Sequence, residues 1–471
     1  MARIPPFLVR LASALAAEHI TKRLVASPAF NRMVARMLHE VDHLPHRING
    51  QPVPPYTPPH GQQFDLPHKD VGEPHDEPDP FAKAGTTRNW TLQQETSQHQ
   101  FFDDFWFWPY GDPTHGTVAY QSKSAAIRQN LTYVDQSTGR FVMRADSTSF
   151  IPDTAAGRPS VRLQSQNTMS DGLLVAKISS MPTGCGTWPA FWTVTTNNWP
   201  SGGEIDIIEG VSSIDGSSSY NLASLHTTNG CTIPSGASNS STGSTYQDDC
   251  AYQPGCSQHF QRGNSFGVNY NQNGGGYFAM LRDTQPGGNG ISVYFWPAST
   301  PISQIPLAVR SAPGQAPHRV ITSPYDLAPG GNNNSLNLLP DKTYQWGLPA
   351  AFFPNTPAGQ TVSGGSCQMD NFFEDHSIII NLTFCGYWAG QVWSQSECVA
   401  LAPTCDEYVR NNPHAFENAS FEIDYIRIYS SKSSRGHGSI ILGNGPGLLR
   451  PAWSMLAWAV LVGLVAGRVW M

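Results

Sequence analysis

The sequence predicts an all-β fold, an antiparallel β-sandwich, on three observations. Short β-prone runs recur from residue 86 to 430 between clusters of Gly, Pro, Asn and Ser. No long helical pattern separates them, which argues against parallel βαβ units. Charged residues make up only 13% of the 471, while 43 Gly, 38 Pro, 13 Trp and 16 Tyr supply turns and half-buried aromatic faces. The net charge of −7 offers no basic footprint, so no nucleic-acid partner is expected.

Taken in order, residues 1–47 differ in kind from the rest. They lack Cys and Trp and carry Arg3, Arg10, Lys22, Arg23, Arg32, Arg36 and Arg47. Phe30, Met33, Val34, Met37, Leu38 and Val41 recur at helical spacing after a Ser27-Pro28 start signal, so a basic amphipathic helix is expected. Arg10 interrupts the early apolar stretch and breaks the pattern of a clean secretory signal. An internal signal-anchor, a genuine extension and a misplaced gene start remain alternative explanations of this segment. Residues 48–85 are rich in Pro, His, Asp and Glu and cannot bury a core, so they read as a disordered linker.

The domain itself is expected over 86–430. Its clearest strands are Val161–Ser165, Gly172–Ile178, Ser292–Trp296, Ile378–Leu382 and Glu422–Tyr429. The weakly patterned, Pro/Asn/Gly-rich stretch 305–342 reads as a surface insertion. Residues 431–451 form a Ser/Gly/Arg-rich spacer. The apolar run 452–467, within a tail at 452–471, is about 24 Å long as a helix and short of a ~30 Å bilayer core. With Gly443-Asn444-Gly445 upstream it fits a GPI-anchor signal, a short membrane anchor being the alternative.

All eight cysteines (Cys185, Cys231, Cys250, Cys256, Cys367, Cys385, Cys398 and Cys405) lie within the domain, and no Cys-x-x-Cys pair occurs. An even count suits disulfides, whose pairing the sequence leaves open. Glycan-acceptor triplets start at Asn89, Asn130, Asn239, Asn333, Asn381 and Asn418. Together they predict a secreted or cell-surface protein made in an oxidising route, with the C-terminal tail attaching it to membrane or cell wall.

The most informative run is Gly203-Glu-Ile-Asp-Ile-Ile-Glu209. On a strand Glu204 and Asp206 share a face, and a regular continuation turns Glu209 away from them. One extra residue around Ile207-Ile208, a β-bulge, returns it. Glu204 and Glu209 are then next-but-one neighbours, with carboxyl groups roughly 5–7 Å apart by strand spacing. Gathering acids on one face costs repulsion and desolvation, so a function is expected in return. Paired carboxylates across a sugar are the equipment of glycoside hydrolysis, and a separation near 5 Å suits retention of configuration. The bland alternative, a strand of surface acids, leaves unexplained why Ile205, Ile207 and Ile208 demand burial on the other face.

From about Phe101 to Tyr429 the chain resembles glycoside hydrolase family 16, in its fungal endo-1,3(4)-β-glucanase (laminarinase-type) branch. The blocks that carry the resemblance are Gly184-Cys-Gly-Thr-Trp-Pro-Ala-Phe-Trp-Thr193, Asn198-Trp-Pro and Gly203-Glu-Ile-Asp-Ile-Ile-Glu-Gly210. Asp112-Pro-Thr-His-Gly116, Ser160–Ser165, Leu225-His-Thr227 and Asn381–Gly386 support it in the same order. The resemblance implies a concanavalin A-like β-jelly-roll sandwich with a substrate-bearing concave face. It implies Glu204 as nucleophile, Glu209 as general acid then base, and Asp206 as the assisting carboxylate. It puts Trp192 and Trp199 where sugar-stacking aromatics sit, with Trp188 and Trp388 as weaker candidates and His226 as a hydrogen-bonding neighbour of the glutamates. Core packing remains the alternative role of each tryptophan, and a structural role that of His226.

Three departures from the family pattern bear on the cleft edges: Ala279-Met-Leu-Arg-Asp283, Ala298 after Trp296-Pro297, and Asp424. The expected activity is retaining hydrolysis of β-1,3 or mixed β-1,3/1,4 glucan by a monomer. The alternatives are a wall-anchored transglycosylase and a non-catalytic glucan-binding wall protein. The chemistry calls for no cofactor and no catalytic metal; a structural calcium at a sheet edge is compatible with a β-sandwich, though no ligands stand out.

Overall fold

The structure is a computed structural model that describes residues 88–196, 199–211, 220–234, 237, 241–322, 346–356, 365–431 and 441–442. The segments expected at 1–47 and 48–85, the tail at 452–471, residues 323–342 of the expected insertion and all of 431–451 but 431 and 441–442 lie outside these residues. So do the acceptor triplets' Asn239 and Asn333.

The described residues form two nine-stranded sheets. The first runs β16 (Arg319–Thr322), β1 (Arg88–Ser97), β19 (Ser420–Ser430), β8 (Gly172–Ser180), β14 (Gly276–Asp283), β15 (Gly290–Pro297), β17 (Ala351–Pro354), with β4 (Thr132–Val134) and β5 (Phe141–Arg144) beside β19. The second runs β12 (Ser244–Gln247), β13 (Cys256–His259), β11 (Leu222–His226), β10 (Glu204–Glu209), β9 (Thr187–Val194), β18 (His376–Phe384), β7 (Arg162–Met169), β2 (Phe105–Phe107), with β20 (Ile441–Leu442) on β7. Pairing within both sheets is antiparallel; β3 (Val118–Tyr120) and β6 (Arg158–Ser160) make a separate parallel pair. The five strands expected from sequence are all present, as β7, β8, β15, β18 and β19.

The sheets bury one face each on a shared core. Ile205, Ile207, Phe191, Ile378 and Ile380 of the second sheet join Leu174, Phe278, Met280, Val293 and Ile428 of the first. Full burial of such side chains stabilises by about 1.5–3 kcal/mol each, which offsets the cost of acids on the opposite face of β10. Four disulfides use every cysteine: Cys185–Cys398, Cys231–Cys367, Cys250–Cys256 and Cys385–Cys405.

Three expectations need correction. The start of the supposed surface insertion is built into the fold: Ile305, Ala308 and Val309 are buried beside Tyr425 and Tyr429, and 319–322 form the edge strand β16. Its Pro/Gly content hid these contacts because they are made to distant strands. Asn381 is not a usable glycan acceptor, since its buried amide bonds Trp192 and Tyr120. The departures at 279–283 and Asp424 fall on β14 and β19 of the first sheet, not on the sheet that carries the carboxylates. There Asp424 accepts from Lys177 Nζ at 3.0 Å and Ser179 Oγ at 2.6 Å. No helix among the described residues is long and apolar enough to cross a membrane.

Candidate active site

β10 lies inside the second sheet, between β9 and β11, so its backbone is held on both sides. Glu204, Ile205 and Asp206 pair regularly with His226, Leu225 and Ser224, but Glu209 pairs with Leu222. On the other side Asp206 faces Trp192 and Ile208 faces Phe191, leaving Ile207 as the extra residue. This is the expected bulge. Ile205, Ile207 and Ile208 are fully buried, and the three acids occupy the opposite face.

A bulge leaves ladder groups without partners. Asn221, itself fully buried, supplies them: its Nδ2 donates to the Ile207 carbonyl at 2.7 Å and its Oδ1 accepts from Glu209 N–H at 3.1 Å. The N-terminal end of the strand is fixed by Gly203, whose φ of +84° suits glycine. A Cβ there would stand 2.4 Å from the Phe373 ring. Neutral His376 braces the same turn, with Nε2–H donating to the Gly202 carbonyl at 2.7 Å and Nδ1 accepting from Thr193 Oγ1 at 2.9 Å. Burial, then the Arg282 charge, holds His376 well below its usual range.

Each glutamate has an indole donor. Trp199 Nε1–H donates to Glu204 Oε2 at 2.5 Å, and Trp188 Nε1–H donates to Glu209 Oε1 at 2.9 Å. Trp199 is exposed at 43%, so its face is open while its edge is engaged. Trp388 packs edge-on against Trp188, ring centres 5.7 Å apart, and steadies it. Trp192, directly opposite Asp206, is anchored by Nε1–H to Asn381 Oδ1 at 2.6 Å. All five aromatic and histidine candidates therefore meet the acids or flank them, and none of the four tryptophans belongs to the fully buried core. Asn221, His376 and Asn381 were missed from sequence. None sits in a local motif that signals its role, because each acts on a partner from another strand.

His226 brings a positive charge. Its Nδ1–H donates to the Tyr252 carbonyl at 2.7 Å, leaving Nε2 3.2 Å from Asp206 Oδ2. That contact is an ion pair off the hydrogen-bonding direction, and Asp206 Oδ2 has no hydrogen-bond donor. Burial favours the neutral imidazole, but Asp206 and Glu204 outweigh it and hold the His226 pKa up at about 10. Burial, then the Asp206 charge, raises both Glu204 and Glu209 to about 8. Glu204, Asp206 and His226 present ligand-type atoms within 4.8 Å of one another. The His226 charge offsets the two acids of this cluster.

Known proteins are similar to this chain in sequence. The family description "XgeA-like, catalytic GH16 domain" matches residues 105–429. The chain belongs to glycoside hydrolase family 16. Within that family it is 33% identical over 357 residues to a probable glycosidase of Schizosaccharomyces pombe, covering 74% of this chain and 71% of that protein. It is 35% identical over 359 residues to an endo-1,3(4)-β-glucanase of Arthroderma benhamiae, covering 74% and 66%. A probable endo-1,3(4)-β-glucanase of Aspergillus fumigatus is 35% identical over 74% of this chain, which spans only 46% of that longer protein. Among solved family 16 structures, Laminarinase 16A from Phanerochaete chrysosporium, with 6-O-glucosyl-laminaritriose in donor and acceptor sites, aligns at 34% identity and a TM-score of 0.60 over 73% of this chain and all of that one. An elongating family 16 β-1,3-glucosyltransferase aligns at 32% and 0.58 over 72% of this chain and all of that one. These relatives agree with the jelly-roll sandwich seen here.

Proposed function

We propose that this protein is a retaining endo-β-glucanase acting on β-1,3 or mixed β-1,3/1,4 glucans. The observation that carries this reading is the bulged strand that sets Glu204, Asp206 and Glu209 on one face, each glutamate under an indole donor. The ionised form of Glu204, favoured by the neighbouring His226 cation against burial and the Asp206 charge, attacks the anomeric carbon while protonated Glu209 gives its proton to the departing glycosidic oxygen. The bond to the leaving sugar breaks as the bond to Glu204 forms. Glu209, now a base, takes a proton from water, whose oxygen displaces Glu204 and releases the product. Crowded carboxylates release their protons stepwise, so one member of the group stays protonated while another ionises. Asp206 holds His226 charged, and that charge favours the ionised form of the neighbouring glutamates. The exposed face of Trp199, with Trp192, packs on the C–H faces of the sugar rings.

Four disulfides favour a secreted or cell-surface protein, and the apolar 452–471 segment suits a tether to membrane or wall. A transglycosylase is the second reading, favoured by the likeness to the elongating glucosyltransferase: a sugar hydroxyl then replaces water in the second step. Time-resolved product analysis on laminarin, lichenan and cellulose tests both. Oligosaccharides from laminarin or lichenan but not cellulose are expected from the wild type, and less than about 1% of that rate from Glu204→Gln. Products longer than an added acceptor would shift the assignment to transfer. Glucan binding with no products from a folded wild type would contradict an enzyme.

A further inference from the structure

We propose that Trp106, Trp108 and Tyr110, at the far edge of the carboxylate-bearing sheet, form a distal sugar-binding platform that grips the same glucan chain beyond the catalytic centre. This inference rests on the glucanase reading above.

The platform begins in the alternation of β2. Phe105 and Phe107 point into the core and are 2% and 3% exposed, so Trp106 and Trp108 turn to the other face. The cross-strand register shows which face that is. Asp206 pairs with Trp192, Trp192 with Ile379, Ile379 with Gln164 and Gln164 with Trp106. Directly paired residues share a face, so this row runs unbroken from the carboxylates to Trp106. A second row runs from Glu209 through Ala190 and Asn381 to Arg162, whose carbonyl accepts from Trp108 N–H at 2.9 Å.

The three rings cluster, with Trp106–Trp108 centres 5.5 Å apart, Trp108–Tyr110 5.3 Å and Trp106–Tyr110 6.1 Å. Tyr110 is 56% exposed, more than packing between the rings calls for. Arg162 links the platform to the catalytic centre, its guanidinium 5.0 Å from the Trp108 ring and 5.1 Å from the Trp192 ring. Arg162 is only 8% exposed, yet its Nε has no hydrogen-bond acceptor. The buried guanidinium fixes the Trp108 and Trp192 rings relative to each other. Clustered aromatic faces with an exposed phenol match a pyranose, which presents C–H faces and hydroxyl edges. Four strand spacings separate β10 from β2, roughly 19 Å, so only a chain of several sugars reaches from the carboxylates to the platform.

The test is the ratio of kcat/KM on laminarin to kcat/KM on an aryl β-disaccharide too short to reach the platform. The double variant Trp106→Ala/Tyr110→Ala is expected to lower that ratio about tenfold, chiefly through KM on the polymer. Tyr110→Ala alone, a change at an exposed side chain, is expected to lower it about threefold should the double variant fail to fold. Trp106→Phe/Tyr110→Phe keeps the ring faces and is expected to hold the ratio near wild type. A ratio within twofold of wild type in the alanine variants overturns the platform while leaving the glucanase reading intact. A wild type that cleaves no β-glucan overturns both.

Discussion

His226 is held from both sides, by Asp206 at 3.2 Å and by the Tyr252 carbonyl at 2.7 Å, so its proton belongs to the site and not to solvent. The loop that carries Tyr252 is closed by Cys250–Cys256, and Gly255 lets it pass close by. A Cβ on Gly255 would stand 2.4 Å from the Leu225 carbonyl and 2.6 Å from His226 Nδ1. Replacing the imidazolium by a neutral group removes the cation paired with Asp206 beside Glu204. His226→Asn is therefore expected to move the acidic limb of the kcat/KM profile to higher pH, by about one unit, because the ionised carboxylates lose their stabilising charge. An unmoved limb with reduced kcat would make His226 a packing residue only. For Glu209 the expected signature is different: Glu209→Ala should lose turnover and regain part of it with azide on an activated aryl glycoside. Failure of azide to rescue a folded variant would remove the acid/base role. The three acids could be read from sequence because they lie within six positions of one another, and Trp199 stands five residues before Glu204; Trp188, 21 residues before Glu209, comes only from the family resemblance. Asn381 and His376 could not, since their contacts come from residues more than 170 positions away, and Asn221 could not because its role depends on the backbone groups that the bulge frees.

The bulge is the feature of β10 that carries most consequence. A regular strand would bury Glu209 or expose Ile208; inserting Ile207 satisfies both faces at the cost of two unpaired backbone groups, which Asn221 takes up. Asn221→Ala leaves those groups buried and unsatisfied, with an expected loss of about 2–4 kcal/mol of stability for the pair. Because Glu209 sits directly at the freed N–H, activity at a temperature well below melting should fall by more than tenfold. Denaturant unfolding with parallel assays checks this, and unchanged activity in a destabilised variant would show that the bulge holds itself. The bulge was legible because three isoleucines and three acids admit one two-faced arrangement. The role of 305–322 was not, because a Pro/Gly-rich composition says nothing about Arg427, whose guanidinium donates to carbonyls of Ala308, Ser311 and Ala312 across the sheet. The cysteine pairing was equally closed to inspection, since eight cysteines allow many connectivities.

At the scale of the whole molecule, the site works against stability. Glu204 and Glu209 rise from 4.5 to about 8 and His226 from 6.5 to about 10, so the folded chain holds more protons than the unfolded one at neutral and mildly alkaline pH. Stability tied to these groups is present at lower pH and is lost as pH rises, through 8 for the glutamates and through 10 for His226. Below 6.5 the lowered histidines His376 and His259 act in the opposite sense, which makes pH 6.5–10 the informative window. The melting temperature is expected to fall across it, and Glu204→Gln to melt a few degrees above wild type near pH 8. A wild-type melting temperature that climbs from pH 6.5 to 9 would contradict the charge assignment.

The retaining route through Glu204 is tested most directly by proton NMR of the anomeric signal in the first minutes of laminarin cleavage. A β-anomer that appears first and only later mutarotates is the expected result. An α-anomer appearing first would mean direct attack by water, and would contradict both the nucleophile role of Glu204 and the two-step mechanism built on it.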